Sequence, residues 1–484
     1  MSISSCIRQL RPRAKVMRRI LASQCIGLPT PKSYSQSAAA ITESYDDSIS
    51  SSISQPSVDE YWRKIPTWNS VTVDEFLSYH WSIANTVQGV EKLARFLHQV
   101  VPDTIPYGRQ RNQTQIRDEL VKDVLEGTKM ATMAVRINPY TLSRINWHDP
   151  LNDPVFRQFI PTKSTMIPDH PALTRDPLEE SDDSPVAGLV YRYPDKALFL
   201  GMSKNVGADT ETLKKDSMKP SKRRWEEIFA YIESQPGLHD IVVSGGDSYY
   251  LQPDQLFMIG KRLLNMPNIR RLRFASKGLA VAPGRILDPG DDWEKALIAV
   301  AHRARVGRKS VALHTHFNHP NEISWITEAA AQKLFEAAVT VRNQAVLLRG
   351  VNDDVATMSS LIRLTGDQYY VFQTDMVNQT EHLRTPLQTI IDLEAHLRGS
   401  IAGFMMPQFA LDPPDGGGKR LACSYISYDR QAGVSEFTAP AITGRNKENK
   451  VCKYYDPLDM LPSAATQTNT PLYATKGMGS SGGR

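Results

Sequence analysis

The sequence predicts an α/β protein, a partial barrel of six strand–helix units behind a helical N-terminal layer. Three observations carry that expectation. From residue 196 onward, short β-prone runs alternate with helix-like stretches, and such alternation makes parallel strands covered by helices. Six pairs occur, fewer than the eight of a closed barrel. The glycine- and histidine-bearing segments fall at the C-terminal ends of the runs, where α/β sheets of either kind place their chemistry. A doubly wound sheet stays open, because order in sequence does not fix order in space.

The N-terminus reads as an address. No acid precedes Glu43, while Arg8, Arg11, Arg13, Lys15, Arg18, Arg19 and Lys32 alternate with Ile7, Leu10, Val16, Ile20 and Leu21. An Arg- and Ser-rich, acid-poor amphipathic start is the transit-peptide pattern, so residues 1–42 are expected to direct the chain to the mitochondrial matrix. Residues 43–58, serine-rich, are a disordered linker. In the N-terminal region, 59–170, an apolar stripe at helical spacing covers 71–101, with Val73, Phe76, Trp81, Leu93, Phe96 and Leu97 among its members. A second helical region is expected at 109–133. Proline and aspartate make regular structure unexpected over 138–185.

The barrel is expected over 171–411, with strands at 197–200, 240–244, 271–275, 311–317, 345–348 and 369–373. Helices fall between and after them at 222–234, 253–264, 291–303, 322–338, 354–364 and 387–397. A last run, 404–411, leads into a lysine-bearing loop and C-terminal segment, 412–464, and a disordered tail, 465–484.

Composition narrows the class. The 484 residues are 41% hydrophobic and 23% charged, as in a soluble globular protein with length for a sizeable core. The net charge of +5 is mild, and its concentration near the N-terminus leaves no nucleic-acid patch. No apolar run reaches the roughly 20 residues of a membrane span, so no membrane partner is expected. The cysteines, Cys6, Cys25, Cys423 and Cys452, are too scattered for a disulfide scaffold or a clustered zinc or iron–sulfur motif.

Four constellations could carry chemistry. Asp415-Gly416-Gly417-Gly418-Lys419 is not a phosphate-cradling P-loop, which has wider glycine spacing and a hydroxyl after the lysine where Arg420 stands. It is either a hairpin turn or a lysine presented to form a Schiff base with an aldehyde cofactor. Ser244-Gly245-Gly246-Asp247 is a tight strand–helix turn, or a loop whose backbone N–H groups approach a ligand closely. His314, His316 and His319 at the rim could pack the loop, line a cofactor cavity or hold zinc as in a barrel hydrolase. Asp375 and Asp412 follow late strands, and could grip an ammonium, exchange protons or cap helices.

Taken together, these segments resemble the lysine 2,3-aminomutase family, which uses radical S-adenosylmethionine (SAM) chemistry with pyridoxal phosphate; the likeness is to a mitochondrial member of fungal type. It runs from residue 62 to 436. It rests on Asp-Pro-Leu at 176–178, Gly-Leu-Val-Tyr-Arg-Tyr-Pro-Asp at 188–195, Val-Ser-Gly-Gly-Asp at 243–247 and His-Phe-Asn-His-Pro-Asn-Glu at 316–322. Asn-Gln-Ala-Val-Leu-Leu-Arg-Gly-Val-Asn-Asp at 343–353, His-Leu-Arg-Thr-Pro at 382–386 and the glycine–lysine loop complete it.

The resemblance implies a radical-SAM-type (β/α)6 partial barrel and an isomerase converting L-lysine to β-lysine. Lys419 would carry pyridoxal phosphate, with Arg192, Tyr193 and Lys196 helping to hold it. Ser244, Gly245, Gly246, Asp247, His316 and Gln344 would contact SAM. Asp375 and Asp412 would bind the distal amine of lysine, which favours lysine over glutamate, since a second carboxylate would be repelled. An electron donor and a homo-oligomeric state are implied as well.

Three departures stand out. The family holds a 4Fe–4S cluster with a Cys-x3-Cys-x2-Cys loop just after Leu200. Here the chain reads Gly-Met-Ser-Lys-Asn-Val-Gly-Ala at 201–208, without a cysteine, and the following family arginine has no counterpart. The segment is short rather than mutated. Asp415 stands where the family's glycine run begins, and Cys423 and Cys452 do not reproduce the C-terminal zinc cluster of some members. The expectation is an aminomutase-family protein inactive as written, with a catalytically dead pyridoxal-phosphate- or amino-acid-binding paralogue and a zinc hydrolase as alternatives.

Overall fold

A computed structural model describes residues 59–107, 113–131, 134–202, 221–245, 247–440 and 449–462. The chain divides into two units, Met1–Asp59 and Glu60–Arg484. The expected transit peptide, the linker up to residue 58, the segment 203–220, Gly246 and the tail lie outside the described residues.

Among the described residues, the second unit is built on a mixed sheet of nine strands. They are β1 (Leu189–Tyr193), β2 (Lys196–Leu200), β3 (Asp240–Ser244), β4 (Arg271–Ala275), β5 (Ser310–Thr315), β6 (Thr340–Leu347), β7 (Gln368–Gln373), β8 (Gln408–Leu411) and β9 (Arg420–Leu421). β2 to β8 are parallel, and β1 and β9 lie antiparallel on the two edges. Spatial order follows chain order throughout. That removes the doubly wound alternative, whose strand order reverses at a switch point.

Between the strands run α1 (Lys222–Glu233), α2 (Pro253–Asn265), α3 (Trp293–Val306), α4 (Trp325–Glu336), α5 (Val355–Thr365) and α6 (Leu387–Arg398). The expected strands and helices are all present, with shifted ends. β6 begins five residues early, because its first residues pair with β5. β5 stops at Thr315, where the Phe317 N–H turns to the Asn343 side chain at 2.7 Å.

Alternation along the strands divides the sheet into two faces. Phe199, Ile241, Val243, Leu272, Phe274, Leu313, Leu347, Val371 and Phe409 join Trp225, Ile259, Trp293 and Val300 of the helices in one apolar core. Each such side chain contributes roughly 1.5–3 kcal/mol when fully buried. The alternate positions include Lys196, Asp240, Arg273, His314, Gln344 and Phe372. Parallel strands covered on both faces normally read as continuous apolar runs, so a polar second face marks where the sheet does something besides pack.

The N-terminal layer departs from the single helical stripe expected over 71–101. Thr72 caps Val73–Leu77 in a capping box with Glu75, and Ser78 ends that helix and caps Tyr79–Ala84. A bridge strand, Val87–Gln88, and Gly89 at φ +83° precede Val90–Val100. The apolar residues still converge: Trp62 stacks on Phe76 at 4.2 Å, within a core that includes Leu93, Phe96, Trp147 and Phe156. Part of the second helical region is instead a hairpin, Thr104–Tyr107 with Gln113–Ile116, ahead of Arg117–Met130. A C-terminal three-stranded sheet, Ser427–Asp429, Val434–Thr438 and Val451–Tyr455, was not expected. Buried Arg384 reaches it, pairing with Glu381 at 2.6 Å and donating to the Tyr455 carbonyl.

Candidate functional site

The glycine run is required by backbone geometry. Asp415, Gly416 and Gly418 all have positive φ, at 60°, 68° and 71°. Glycine adopts that region freely, and aspartate is one of the few other residues that tolerates it. Gly417 is needed for another reason: a Cβ there would lie 2.8 Å from Cys452 Sγ. Buried Cys452 thus packs beneath the loop. The loop is tied at its start by the Asp415 N–H on the Pro177 carbonyl at 2.8 Å, and at its end by the Lys419 N–H on Tyr193 Oη at 3.1 Å.

So held, Lys419 reaches over the polar face. Its Nζ lies 2.7 Å from Asp412 Oδ2 and 4.3 Å from the centre of the Phe372 ring, with a third of the side chain exposed. Burial opposes its charge, but Asp412, Tyr193 and Asp375 outweigh burial and hold the amine above the ordinary lysine range. The other Asp412 oxygen, Oδ1, is buried without a hydrogen-bond partner among the described residues. Asp375 is pushed up to about 7, first by burial and then by the fields of Asp412 and Glu180. Glu180, itself raised mainly by burial, is an acid that sequence reasoning missed.

Lys196 opens β2 with its Nζ 3.9 Å above the Tyr193 ring. Burial, with Lys419 and Arg273 nearby, pulls it down to about 8. Arg192 is placed differently from its neighbours: its Nε bonds Asp183 at 2.7 Å and its Nη2 donates to the Leu178 carbonyl. Its guanidinium therefore clasps the segment before β1. Phe372 was legible in principle, since alternation from buried Val371 puts it on the polar face.

The remaining predicted residues form a second group. Ser244 ends β3, and its carbonyl accepts from the Gly201 N–H at 2.8 Å. Gly245 has φ +81°, and a Cβ there would meet Leu200 Cα at 2.7 Å, so no side chain fits. Asp247 accepts from the N–H groups of Tyr249 and Lys277, at 2.8 and 2.9 Å, and burial raises its carboxyl. It therefore holds the turn. The three histidines take separate partners. His314 Nδ1 meets Gln344 Nε2 at 2.9 Å, His316 Nε2 meets Asn318 Oδ1 at 3.0 Å, and His319 Nδ1 accepts from the Asn321 N–H at 3.0 Å. Burial brings His314 and His316 each down to about 3, so both present neutral rings.

Among the described residues no group of three or more His, Cys, Asp or Glu is placed to hold a metal ion. Cys423 is exposed and Cys452 lies under the glycine loop. The residues that could hold an organic group are those around Lys419, whose amine can react with an aldehyde and whose carboxylate neighbours can take an ammonium.

No family model matches the chain. Individual relatives do. The chain is 31% identical over 411 residues to L-lysine 2,3-aminomutase of Clostridium subterminale, covering 83% of this chain and 89% of that one. It is 29% identical over 419 residues to L-lysine 2,3-aminomutase of Bacillus subtilis, with 84% and 80% covered. Against glutamate 2,3-aminomutase of Clostridioides difficile the figures are 29% over 364 residues, 72% and 77%. These relatives are aminomutases, a class of isomerases, and the mixed α/β fold with its mostly parallel sheet is compatible with that class. The chain belongs to the L-lysine 2,3-aminomutase family.

The comparison corrects one expectation. The relatives are bacterial and archaeal proteins, Methanococcus maripaludis supplying an archaeal example. They point away from the mitochondrial matrix that the basic N-terminus was read to indicate: composition alone made an address of it.

Proposed function

We propose that this aminomutase-family protein takes pyridoxal phosphate on Lys419 and grips the distal ammonium of L-lysine between Asp375 and Asp412, on a partial (β/α)6 barrel of the radical SAM type. The observation that carries the reading is the Lys419–Asp412 contact of 2.7 Å beside an Asp412 oxygen without a partner among the described residues. An acidic pocket already occupied by one ammonium is suited to receive another.

Pyridoxal phosphate fits the residues present. Lys419 offers the amine, Phe372 an aromatic wall, and Lys196 a cation on the Tyr193 ring for the phosphate. When bound, the group supplies the aldehyde with which an amino acid condenses and the conjugated ring that steadies the reacting carbons. Tyr193 fixes the loop through the Lys419 N–H, and the neutral rings of His314 and His316 offer hydrogen bonds without charge. On the same reading SAM is held by the 244–247 loop, His316 and Gln344. The buried Arg192–Asp183 pair supports β1 from behind.

A 4Fe–4S cluster does not fit. Such clusters are held by thiolates, and the segment between Leu200 and Ser221 contains no cysteine. The reading is therefore a protein that binds cofactor and amino acid without turning lysine over. Incubation with pyridoxal phosphate followed by borohydride is expected to fix the label on Lys419. Anaerobic reconstitution with iron and sulfide is expected to give neither a cubane cluster nor β-lysine. A label elsewhere overturns the cofactor assignment, and a cluster with turnover overturns the inactivity.

A pH dependence follows from Asp375. Its carboxyl must ionise to hold an ammonium, and it does so only near pH 7. Lysine affinity is expected to rise by up to about tenfold per pH unit below 7 and to level off above it, while Asp375→Asn flattens the profile. Stability runs the other way. The folded-state value lies above the unfolded one, so stability is fullest while both states are protonated and declines as pH climbs from the ordinary aspartate range through about 7. Calorimetric titration and thermal melts over pH 5–8 check both signs.

A further inference from the structure

In parallel strand–helix units, each helix-to-strand return lies at the N-terminal edge of the strands, away from their C-terminal ends. Four successive returns of this chain leave a large apolar side chain in solvent. Val306, the last residue of α3, is 73% exposed, and Phe335, next to last in α4, is 75% exposed. Leu364, next to last in α5, is 51% exposed, and Phe404, between α6 and β8, is 100% exposed. Single exposed apolar residues are ordinary. Three at the last turn of consecutive helices and a fourth in the next return form a repeated feature along one edge, and exposed apolar side chains gathered on one face mark an interaction site.

The returns are stitched side by side. Arg305 of α3 donates to the Ala338 carbonyl after α4 at 2.6 Å. Arg342, early in β6, pairs with Asp367 after α5 at 3.5 Å. Arg363 of α5 donates to the Ser400 carbonyl after α6 at 2.9 Å. The rim so joined carries more cations than anions: Arg271, Arg305, Arg308, Arg363 and Arg398 are exposed on it, against Glu336, Asp367 and the partly buried Glu394, the last paired with Arg398.

We infer that this rim docks on an anionic lipid surface. Aromatic and aliphatic tips enter the headgroup–acyl boundary while arginines meet lipid phosphates, the pairing that holds peripheral proteins on membranes. Protruding tips need no shaped counterpart there. A second copy of the chain is disfavoured as occupant, because a two-fold contact would set these arginines against one another. No helix among the described residues is long and apolar enough to cross a membrane, so the contact is peripheral. A search for spans in the sequence could not reveal it, since the four residues are far apart in the chain.

The test uses the full chain with vesicles of phosphatidylcholine alone or mixed with phosphatidylglycerol, at about 0.15 M salt. Co-sedimentation is expected with the anionic vesicles and not with the neutral ones. Phe335→Ser with Phe404→Ser is expected to weaken it at least tenfold while the melting transition stays in place. Three results overturn the inference. They are no binding to anionic vesicles, binding unchanged in the double variant, which assigns it elsewhere such as the basic N-terminus, or a dimer in sedimentation velocity that the double variant splits.

Discussion

Replacing Lys419 with alanine is expected to abolish the borohydride-fixed pyridoxal label and, in the cofactor-free protein, to open the acidic pair to free lysine. Both effects have one cause. While its amine is unoccupied, the Lys419 ammonium sits 2.7 Å from Asp412 and competes with any other ammonium for that carboxylate. A charge-assisted bond of this kind is worth about 1.5–3 kcal/mol, so removing the competitor should tighten lysine binding by roughly ten- to a hundredfold. The cofactor would do naturally what the variant does artificially, since an amine engaged elsewhere no longer neutralises Asp412. Lysine would then bind well only after the cofactor has bound. Calorimetry on cofactor-free wild-type and variant chains decides it, and equal affinities would sink the competition.

Replacing Arg192 with alanine should be the most damaging change to stability near the site. Arg192 and Asp183 are 8% and 2% exposed and 2.7 Å apart. Removing one member of a buried pair leaves the other charge uncompensated, at about 3–5 kcal/mol. Asp183→Ala should lose a similar amount, and the double replacement much less than the sum. Denaturant unfolding measures all three. An unchanged midpoint with selectively weaker pyridoxal phosphate binding would instead return Arg192 to the cofactor.

These predictions mark where the sequence was legible. The strand–helix period was plain from short β-prone runs between helix-like stretches, and in one of them buried Leu272 and Phe274 alternate with Arg271 and Arg273. That alternation held enough information to find Phe372, and the seven-residue separation of Asp412 and Lys419 made their meeting plausible. Tyr193 lies 226 residues before the N–H it accepts from, and no local signal foretells that. Arg192, which the resemblance assigns to the cofactor, has its Nε on Asp183, a partner that no local pattern foretells. In the N-terminal layer, Thr72 and Glu75 stand at capping-box spacing within the apolar stripe and start a short helix there. Side-chain period reports burial faithfully, but it does not see where a short cap breaks the backbone.

The junction after Leu200 has a meaning for design and descent. Its two banks are firmly moored: Gly201 donates to the Ser244 carbonyl at 2.8 Å, and its own carbonyl accepts from Trp225 Nε1 of α1 at 3.0 Å. The scaffold is thus a finished frame into which a ligand-bearing loop can be spliced, and doubling a loop's length costs only about 0.6 kcal/mol in closure entropy. Among the described residues, Arg224 Nε and Nη1 are buried there without a hydrogen-bond partner. On the reading proposed above, reactive loop and supporting architecture would be separable, and the one could change without rebuilding the other.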